Sequence, residues 1–175
     1  DREYVNNKFG RRMGISLSNS TWGQLTTEYT RIEQEVYGHR DILNSHTEKG
    51  IILGNQLGPN SDTWLFSYTK WLPLRSKLFL EYRYNRKGLN EYENKELIGN
   101  YGADPTVSYL YKREFSHFLA GDRQEFSILG ANYYIEPYRG LQIKTRLYKQ
   151  WAHTGNRIAN YWLWDVNLVI GMNYF

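Results

Sequence analysis

The stretch Trp162-Leu163-Trp164-Asp165-Val166-Asn167-Leu168-Val169-Ile170-Gly171-Met172-Asn173-Tyr174 decides the fold, because every even position in it is apolar. The intervening positions include aspartate, asparagine and glycine. Successive side chains of a β-strand point to opposite faces, so this pattern predicts a strand with one fully apolar face. At about 3.3 Å per residue, such a strand is long enough to cross a lipid bilayer even when tilted.

The same alternation recurs upstream and predicts seven further strands, at 13–18, 25–30, 63–71, 77–85, 105–115, 125–135 and 141–151. Residues 63–71 carry aromatic side chains on both faces, and residues 125–135 change face midway, which suggests a bulge near Gly130. A weaker strand at 93–101 is needed for the topology, and residues 3–9 add another. The sequence therefore predicts nine or ten strands.

The connections between these strands are of two kinds. Tight turns, marked by proline and glycine, are predicted at 20–23, 72–76, 102–105 and 136–140. Longer polar loops are predicted at 34–61, 87–93, 116–123 and 152–159. If the strands run alternately up and down, all the tight turns fall at one end and all the longer loops at the other. This arrangement is typical of outer-membrane barrels.

The composition excludes several classes of protein. The chain has 175 residues and no cysteine, so a disulfide framework or a cysteine metal site is impossible. No run of about 18 apolar residues exists, which excludes a transmembrane helix. The net charge of +4 is dispersed along the chain, which argues against a nucleic-acid partner. The four histidines lack metal-ligand spacing, so neither a metal nor a cofactor is expected.

We therefore predict an all-β fold, an antiparallel transmembrane β-barrel that occupies residues 1–175 as one domain of the bacterial outer membrane. The alternative is a soluble β-sandwich or a lipocalin-like barrel, because these folds also alternate. Tryptophan, tyrosine and phenylalanine near many strand ends favour the aromatic girdles of a membrane barrel. Phe175 ends the chain as in many outer-membrane barrels, although it is one residue out of phase with the apolar positions.

The face opposite the apolar one carries charges of both signs, which predicts a wet lumen. The lumen-lining residues expected from strand parity are Glu28, Glu81, Arg83, Lys112, Glu114, Lys144, Arg146 and Asp165. In a wide barrel these side chains line a pore and set its ion preference. In a narrow or plugged barrel they pair as salt bridges that fill the interior.

One segment suggests a family. Gly50, Gly54 and Gly58 recur every four residues, and the sequence Pro59-Asn60-Ser61-Asp62 follows. This element, with the aromatic strand and the Leu80–Tyr84 segment after it, resembles the capsule-assembly outer-membrane proteins of the Wzi type. The resemblance is specific over residues 37–86 and general elsewhere.

The resemblance implies a closed antiparallel barrel with more strands than this chain supplies, so the chain would be the C-terminal portion of a longer protein. The implied role is surface organisation of capsular polysaccharide without catalysis. The residues that match the motif are Gly50, Gly54, Gly58, Pro59, Ser61 and Asp62. A folded loop at the barrel mouth is one interpretation of the motif, and a direct sugar-binding role is the other.

The predicted loops supply aromatic platforms and hydrogen-bonding groups for a polysaccharide, namely Tyr37, His39, Arg40, Tyr92, His117, Phe118, His153 and Arg157. The alternative is that these groups contact lipopolysaccharide at the membrane interface. The expected partners are thus outer-membrane lipid, lipopolysaccharide, the barrel insertion machinery and, as a candidate ligand, capsular polysaccharide.

Three functions remain open from the sequence. The first is a non-enzymatic barrel for assembly or attachment of capsular polysaccharide or exopolysaccharide. The second is a porin or a transporter barrel with an aqueous pore, and the third is a small self-contained barrel in adhesion or envelope stability. An enzyme is not expected, because the adjacent Ser116 and His117 do not face each other as a catalytic pair.

Overall fold

A computed structural model describes residues 8–49, 51–108, 110–114, 117–154 and 157–170 of the chain. The fold is all-β, with one short 3-10 helix at Ile42–Asn44. The strands are β1 (Gly10–Asn19), β2 (Gly23–Ile32), β3 (Thr47–Glu48), β4 (Ile51–Ile52), β5 (Ser61–Leu72), β6 (Ser76–Leu89), β7 (Glu91–Glu93), β8 (Glu96–Gly99), β9 (Asp122–Tyr138), β10 (Leu141–Thr154) and β11 (Arg157–Ile170).

Seven long strands form one antiparallel sheet in the order β1-β2-β5-β6-β9-β10-β11. Each strand pairs with the long strands before and after it in sequence, and β3–β4 and β7–β8 form two small sheets within the connections. Over the residues that the structure describes, the sheet does not close on itself. Strands β1 and β11 are its two edges.

The strand register divides the side chains between two faces, because paired residues in an antiparallel sheet point the same way. One face, the apolar face, includes the exposed side chains of Met13, Ile15, Leu17, Leu25, Trp64, Phe66, Tyr82, Leu129, Leu147, Trp162, Trp164, Val166 and Leu168. The opposite face, the polar face, carries most of the charged and amide groups of the strands. The predicted alternation is thus confirmed across the long strands.

The two ends of the sheet differ in their connections. One end, the turn end, holds the short turns at 20–22, 73–75 and 139–140. The other, the loop end, holds the long connections 33–60 and 90–121 and the short one between Thr154 and Arg157. The strands β1, β5, β9 and β11 run from the loop end to the turn end, and the others run back.

The strands predicted at 93–101 and 105–115 are wrong as membrane-length strands, because these residues belong to the 90–121 connection. The side chain of Asn100 holds this segment compact. Its amide nitrogen donates to the carbonyls of Ser108 at 3.0 Å and Tyr111 at 2.9 Å, and its oxygen accepts from the Gly102 backbone at 3.0 Å. Lys112 and Glu114 are therefore loop residues rather than lumen-lining strand residues.

The same finding corrects the strand count and one turn. The sheet has seven long strands rather than nine or ten, and the predicted turn at 102–105 lies at the loop end. Removing one ascending and one descending strand together leaves the direction of the others as predicted. The loop predicted at 152–159 is shorter, because β10 extends to Thr154 and β11 begins at Arg157. Residues 1–7 and 171–175 lie outside the described residues, and with them most of the predicted strand 3–9 and the end of the decisive stretch.

The bulge predicted near Gly130 is also misplaced. Gly130 pairs in continuous register with Glu81 and Tyr148, and the register shift lies nearer the turn, between Leu141 and Ile143. A Cβ at Gly130 would come within 2.5 Å of the Tyr148 ring, so the glycine makes room for this tyrosine. The apparent change of face in the sequence is Phe126 and Ile128 pointing to the polar face.

The sheet itself has little core. Among the described residues, the buried hydrophobic side chains are those of Ile32, Leu97, Ala103 and Ala120, all at the loop end. A soluble antiparallel sheet buries its apolar face against another layer. Here the apolar side chains of this face are exposed, from Met13 on β1 to Leu168 on β11, whereas at the loop end Asp62, on the same face by register, is buried. The described part of the chain contains no helix that combines the length and the apolar character needed to span a bilayer.

Candidate functional site

Six of the eight predicted lumen residues lie on strands of the sheet and share the polar face. They are Glu28, Glu81, Arg83, Lys144, Arg146 and Asp165. Strand parity alone fixes this placement. The register therefore brings together on one face charges that are spread over 138 positions of sequence, from residue 28 to residue 165.

Most of these charges lie beside an opposite charge. Glu28 pairs with Arg12 at 2.6 Å, and Arg146 pairs with Asp165 at 2.9 Å. Arg83 is 3.6 Å from Glu81, a longer contact within one strand. The polar face is therefore close to neutral along most of its length, and Arg83 is the least tightly paired of the three arginines.

The motif residue Asn60 links three segments at the loop end. It is fully buried, and its side-chain nitrogen donates to the carbonyls of Gly88 at 3.1 Å and Ala120 at 3.0 Å. Its side-chain oxygen accepts from the backbone of Leu119 at 2.8 Å. The segment that precedes β5 is thus bound to the end of β6 and to the 90–121 connection. Asn60 lies within the motif, but the sequence did not predict a role for it.

The neighbouring motif residues are also held by internal contacts. Asp62 has a fully buried side chain that accepts two hydrogen bonds from Arg86, at 2.9 and 2.5 Å, and one from Tyr29 at 3.1 Å. The Ser61 hydroxyl donates to the carbonyl of Gly58 at 2.6 Å. The side chains of Ser61 and Asp62 are thus held by hydrogen bonds within the protein.

Gly54 and Tyr37 pack against each other inside the 33–60 connection. A Cβ at Gly54 would lie 2.9 Å from the Tyr37 ring, and the Tyr37 hydroxyl accepts from the Asn55 backbone at 3.3 Å. His39 and Arg40 are exposed, and the Arg40 carbonyl accepts from the Ser108 hydroxyl at 2.8 Å. Gly50 lies outside the described residues.

The other predicted loop residues do not converge on one site. Tyr92 and His117 are exposed in the 90–121 connection, and His153 is exposed on β10. The Phe118 ring lies under the Arg31 guanidinium, 3.7 Å from its centroid, in a cation–π contact. Arg157 is the first residue of β11, and Ser116 lies outside the described residues.

The two long connections are joined by a buried ion pair. Glu35, with 2% of its side chain exposed, is 2.9 Å from Arg113, with 8% exposed. Gln34 of the same connection donates to the carbonyl of His117 at 3.1 Å. Burial raises the pKa of Glu35 above its ordinary value, while the positive charges of Arg113 and Lys8 act in the opposite direction. The connections therefore form one cap at the loop end.

Replacing Glu35 with glutamine is expected to loosen this cap, because the Arg113 guanidinium would remain buried without its carboxylate. Breaking a buried pair in this way costs about 3–5 kcal/mol. Amide hydrogen exchange measured by mass spectrometry should become faster throughout 90–121 while the sheet is unaffected. The exposed Glu93→Gln is the control, and equal exchange in both variants would contradict the assignment.

The 33–60 connection lies against the polar face and borders a cavity that is open to solvent on one side. Lys87, on the polar face of β6, donates to the carbonyl of Leu57 at 2.5 Å. The cavity has a volume of about 580 Å³ and lies between the connection and strands β1, β2, β5, β6 and β9. It is lined by Arg12, Glu28, Thr30, Asn55, Gln56, Leu57, Thr63, Leu65, Arg83, Asn85, Phe126 and Ile128.

Of the residues that line this cavity, only Glu28 and Arg83 were among the predicted lumen-lining residues. The parity of β9 could have added Phe126 and Ile128, since both alternate with the apolar-face residues Ser127 and Leu129 of the register. The fold of the connection over the sheet depends on Lys87 and Asn60, and no periodic pattern carries that information.

A scan against protein-family models and searches of curated proteins and of solved structures found no match for this chain.

Proposed function

We propose that this sheet is a portion of the wall of a β-barrel in the bacterial outer membrane. The observation that carries the proposal is the apolar face, on which Trp164 and Val166 are 69% and 54% exposed in the middle of a 14-residue strand. Contact with lipid acyl chains removes such a surface from water, and the polar face then lines the lumen.

The strand directions indicate that the barrel is larger than this sheet. Both edge strands, β1 and β11, run from the loop end to the turn end. An antiparallel barrel has an even number of strands, so closing this one takes an odd number of further strands. Every pair within the sheet joins long strands that follow one another in sequence, which favours further strands from the same polypeptide.

A second copy of the sheet does not close the barrel equally well. Joining β1 of one copy to β11 of another would place two strands of the same direction side by side. Joining two copies of β1 antiparallel would turn one copy upside down in the bilayer. We therefore expect the mature protein extracted from outer membranes to have a mass well above 20.9 kDa. A mass of 20.9 kDa would contradict a larger single-chain barrel.

Within that barrel, we propose a non-enzymatic role in assembly or surface attachment of capsular polysaccharide or exopolysaccharide. Two features support it. The 33–60 connection covers part of the polar face, and it borders a cavity with apolar and hydrogen-bonding groups. The resemblance of residues 37–86 to capsule-assembly barrels points the same way. An aqueous pore is the alternative, supported by the charges of both signs on the polar face.

Two measurements separate these functions. Deleting the gene in its encapsulated host should release polysaccharide from the cell surface into the medium, and the natural protein supplied from a plasmid should restore cell-bound polysaccharide. The purified protein in planar lipid bilayers should show no stable conductance steps. Steady conductance together with unchanged cell-bound polysaccharide would favour the pore.

A further inference from the structure

The cavity under the 33–60 connection has an apolar floor formed by side chains of the polar face. Phe126 and Ile128 are neighbours on the polar face of β9, and Leu65 lies in the same row as Ile128 through Arg83. Half-buried aromatic and aliphatic groups in a wet lumen give up contact with water when a ligand covers them. The floor therefore favours a ligand with an apolar surface of its own.

The rim of the cavity supplies hydrogen-bonding groups on all sides. Gln56 and Asn55 lie on the side of the connection, and Thr30 and Glu28 lie on β2. The Glu28 carboxylate is balanced by Arg12 at 2.6 Å. A concave site with an apolar floor and a few converging polar groups is the usual form of a small-molecule site, and 580 Å³ lies within the usual range of about 300–1,000 Å³.

Arg83 gives the site its charge preference. Its side chain is 41% exposed, and its contact with Glu81 is long at 3.6 Å. The guanidinium can therefore present its planar pair of N–H donors to a ligand carboxylate, which accepts such a pair in bidentate geometry. Together with the paired Arg12 and Glu28, Arg83 leaves one net positive charge among the cavity residues.

We propose that this cavity binds one acidic sugar residue, a uronate, of a polysaccharide chain. The C–H face of the sugar ring lies on Phe126, its carboxylate lies on Arg83, and its hydroxyls bond Gln56 and Thr30. The inference rests on the proposed function, because it requires a polysaccharide at the loop end of the polar face. It adds the place of binding and the charge of the sugar.

The test uses the natural full-length protein in detergent micelles, titrated with hexa-galacturonate in a calorimeter. Arg83→Gln should weaken binding at least tenfold, and Phe126→Leu should weaken it several-fold by removing the aromatic face. The matched controls lie on the polar face outside the cavity. Lys77→Gln removes a positive charge from the same strand as Arg83, and Phe79→Leu removes an aromatic ring, and neither should change the affinity.

Neutral malto-hexaose tests the charge preference and should bind at least tenfold more weakly than hexa-galacturonate. The inference is overturned if neither sugar binds, if both bind equally, or if Arg83→Gln binds as tightly as Lys77→Gln. Capsule release after gene deletion, combined with unchanged binding in Arg83→Gln, would retain the proposed function and reject this site. If Arg83→Gln loses hexa-galacturonate binding but deletion of the gene leaves the cell-bound polysaccharide unchanged, the site is retained and the proposed function is rejected.

Discussion

Replacing Asn60 with alanine is expected to lower the free energy of unfolding by about 3 kcal/mol, measured by urea titration of the protein folded in lipid vesicles. The change removes the side-chain partner of three backbone groups, the buried carbonyls of Gly88 and Ala120 and the part-buried N–H of Leu119, at a cost of about 1 kcal/mol each. Asn60 also has a φ of 55°, a conformation that asparagine adopts more readily than alanine.

The control for this prediction is Asn44→Ala. Asn44 is exposed in the same connection, so its replacement should change stability by less than about 0.5 kcal/mol. The loss at Asn60 should also speed hydrogen exchange at 117–121 before the sheet unfolds. Equal stability of the two variants would show that Asn60 does not join the two connections to β6.

Placing arginine at Val166 is expected to destabilise the membrane-inserted protein by about 2–4 kcal/mol, the cost of a charged side chain on the lipid face near the bilayer midplane. Val166 belongs to the apolar face and is 54% exposed, and within the described part of the chain no second layer covers this face at Val166. Urea titration in lipid vesicles measures the effect. In detergent-free buffer, a soluble sheet would tolerate the same exposed arginine.

The matched control is Leu163→Arg, three positions away on the same strand. Leu163 is 58% exposed like Val166, yet it pairs with Tyr148 on the polar face. An arginine there reaches the lumen and should change stability by less than about 1 kcal/mol. If the two arginines destabilise the protein equally, the two faces of β11 are not in different solvents.

Strand parity accounts for what could be predicted from the sequence. Alternation over ten or more residues, as in β11, defines both the element and the face of every side chain on it. For this reason Glu28, Arg83 and Asp165 were placed on one face before any contact between their strands was known. The strand register shows which residues lie beside these three, and it leaves them on the predicted face of the sheet.

The strand predictions are wrong where the alternation of apolar and polar residues is short, and the bulge prediction is wrong where a glycine has another role. Residues 105–115 alternate over a few positions, but the Asn100 side chain makes three local hydrogen bonds, and the described residues of this segment form a loop. Gly130 looked like a bulge because glycine weakens a strand, whereas it accommodates the ring of Tyr148 on the neighbouring strand. The sequence of one strand does not show that a side chain of the neighbouring strand requires this space.

Only part of the cavity could be predicted from the sequence. Its floor could be predicted from the parity of β9, because Phe126 and Ile128 stand opposite the apolar face. Its other wall could not, since the position of Asn55–Leu57 depends on one hydrogen bond from Lys87 and on the buried contacts of Asn60. These are long-range contacts that join a loop to a strand or to another loop, and loop sequences carry no periodic signal of their partners.

Cysteine accessibility along β11 tests the central claim most directly, because the chain contains no cysteine of its own. Single cysteines would replace Trp162, Trp164, Val166 and Leu168 on the apolar face and Leu163, Asp165 and Asn167 on the polar face. They would be exposed, in native outer-membrane vesicles, to a water-soluble maleimide. We expect the maleimide to label the cysteines at 163, 165 and 167 and not those at the four even positions. Rapid labelling at the even positions would contradict the central claim.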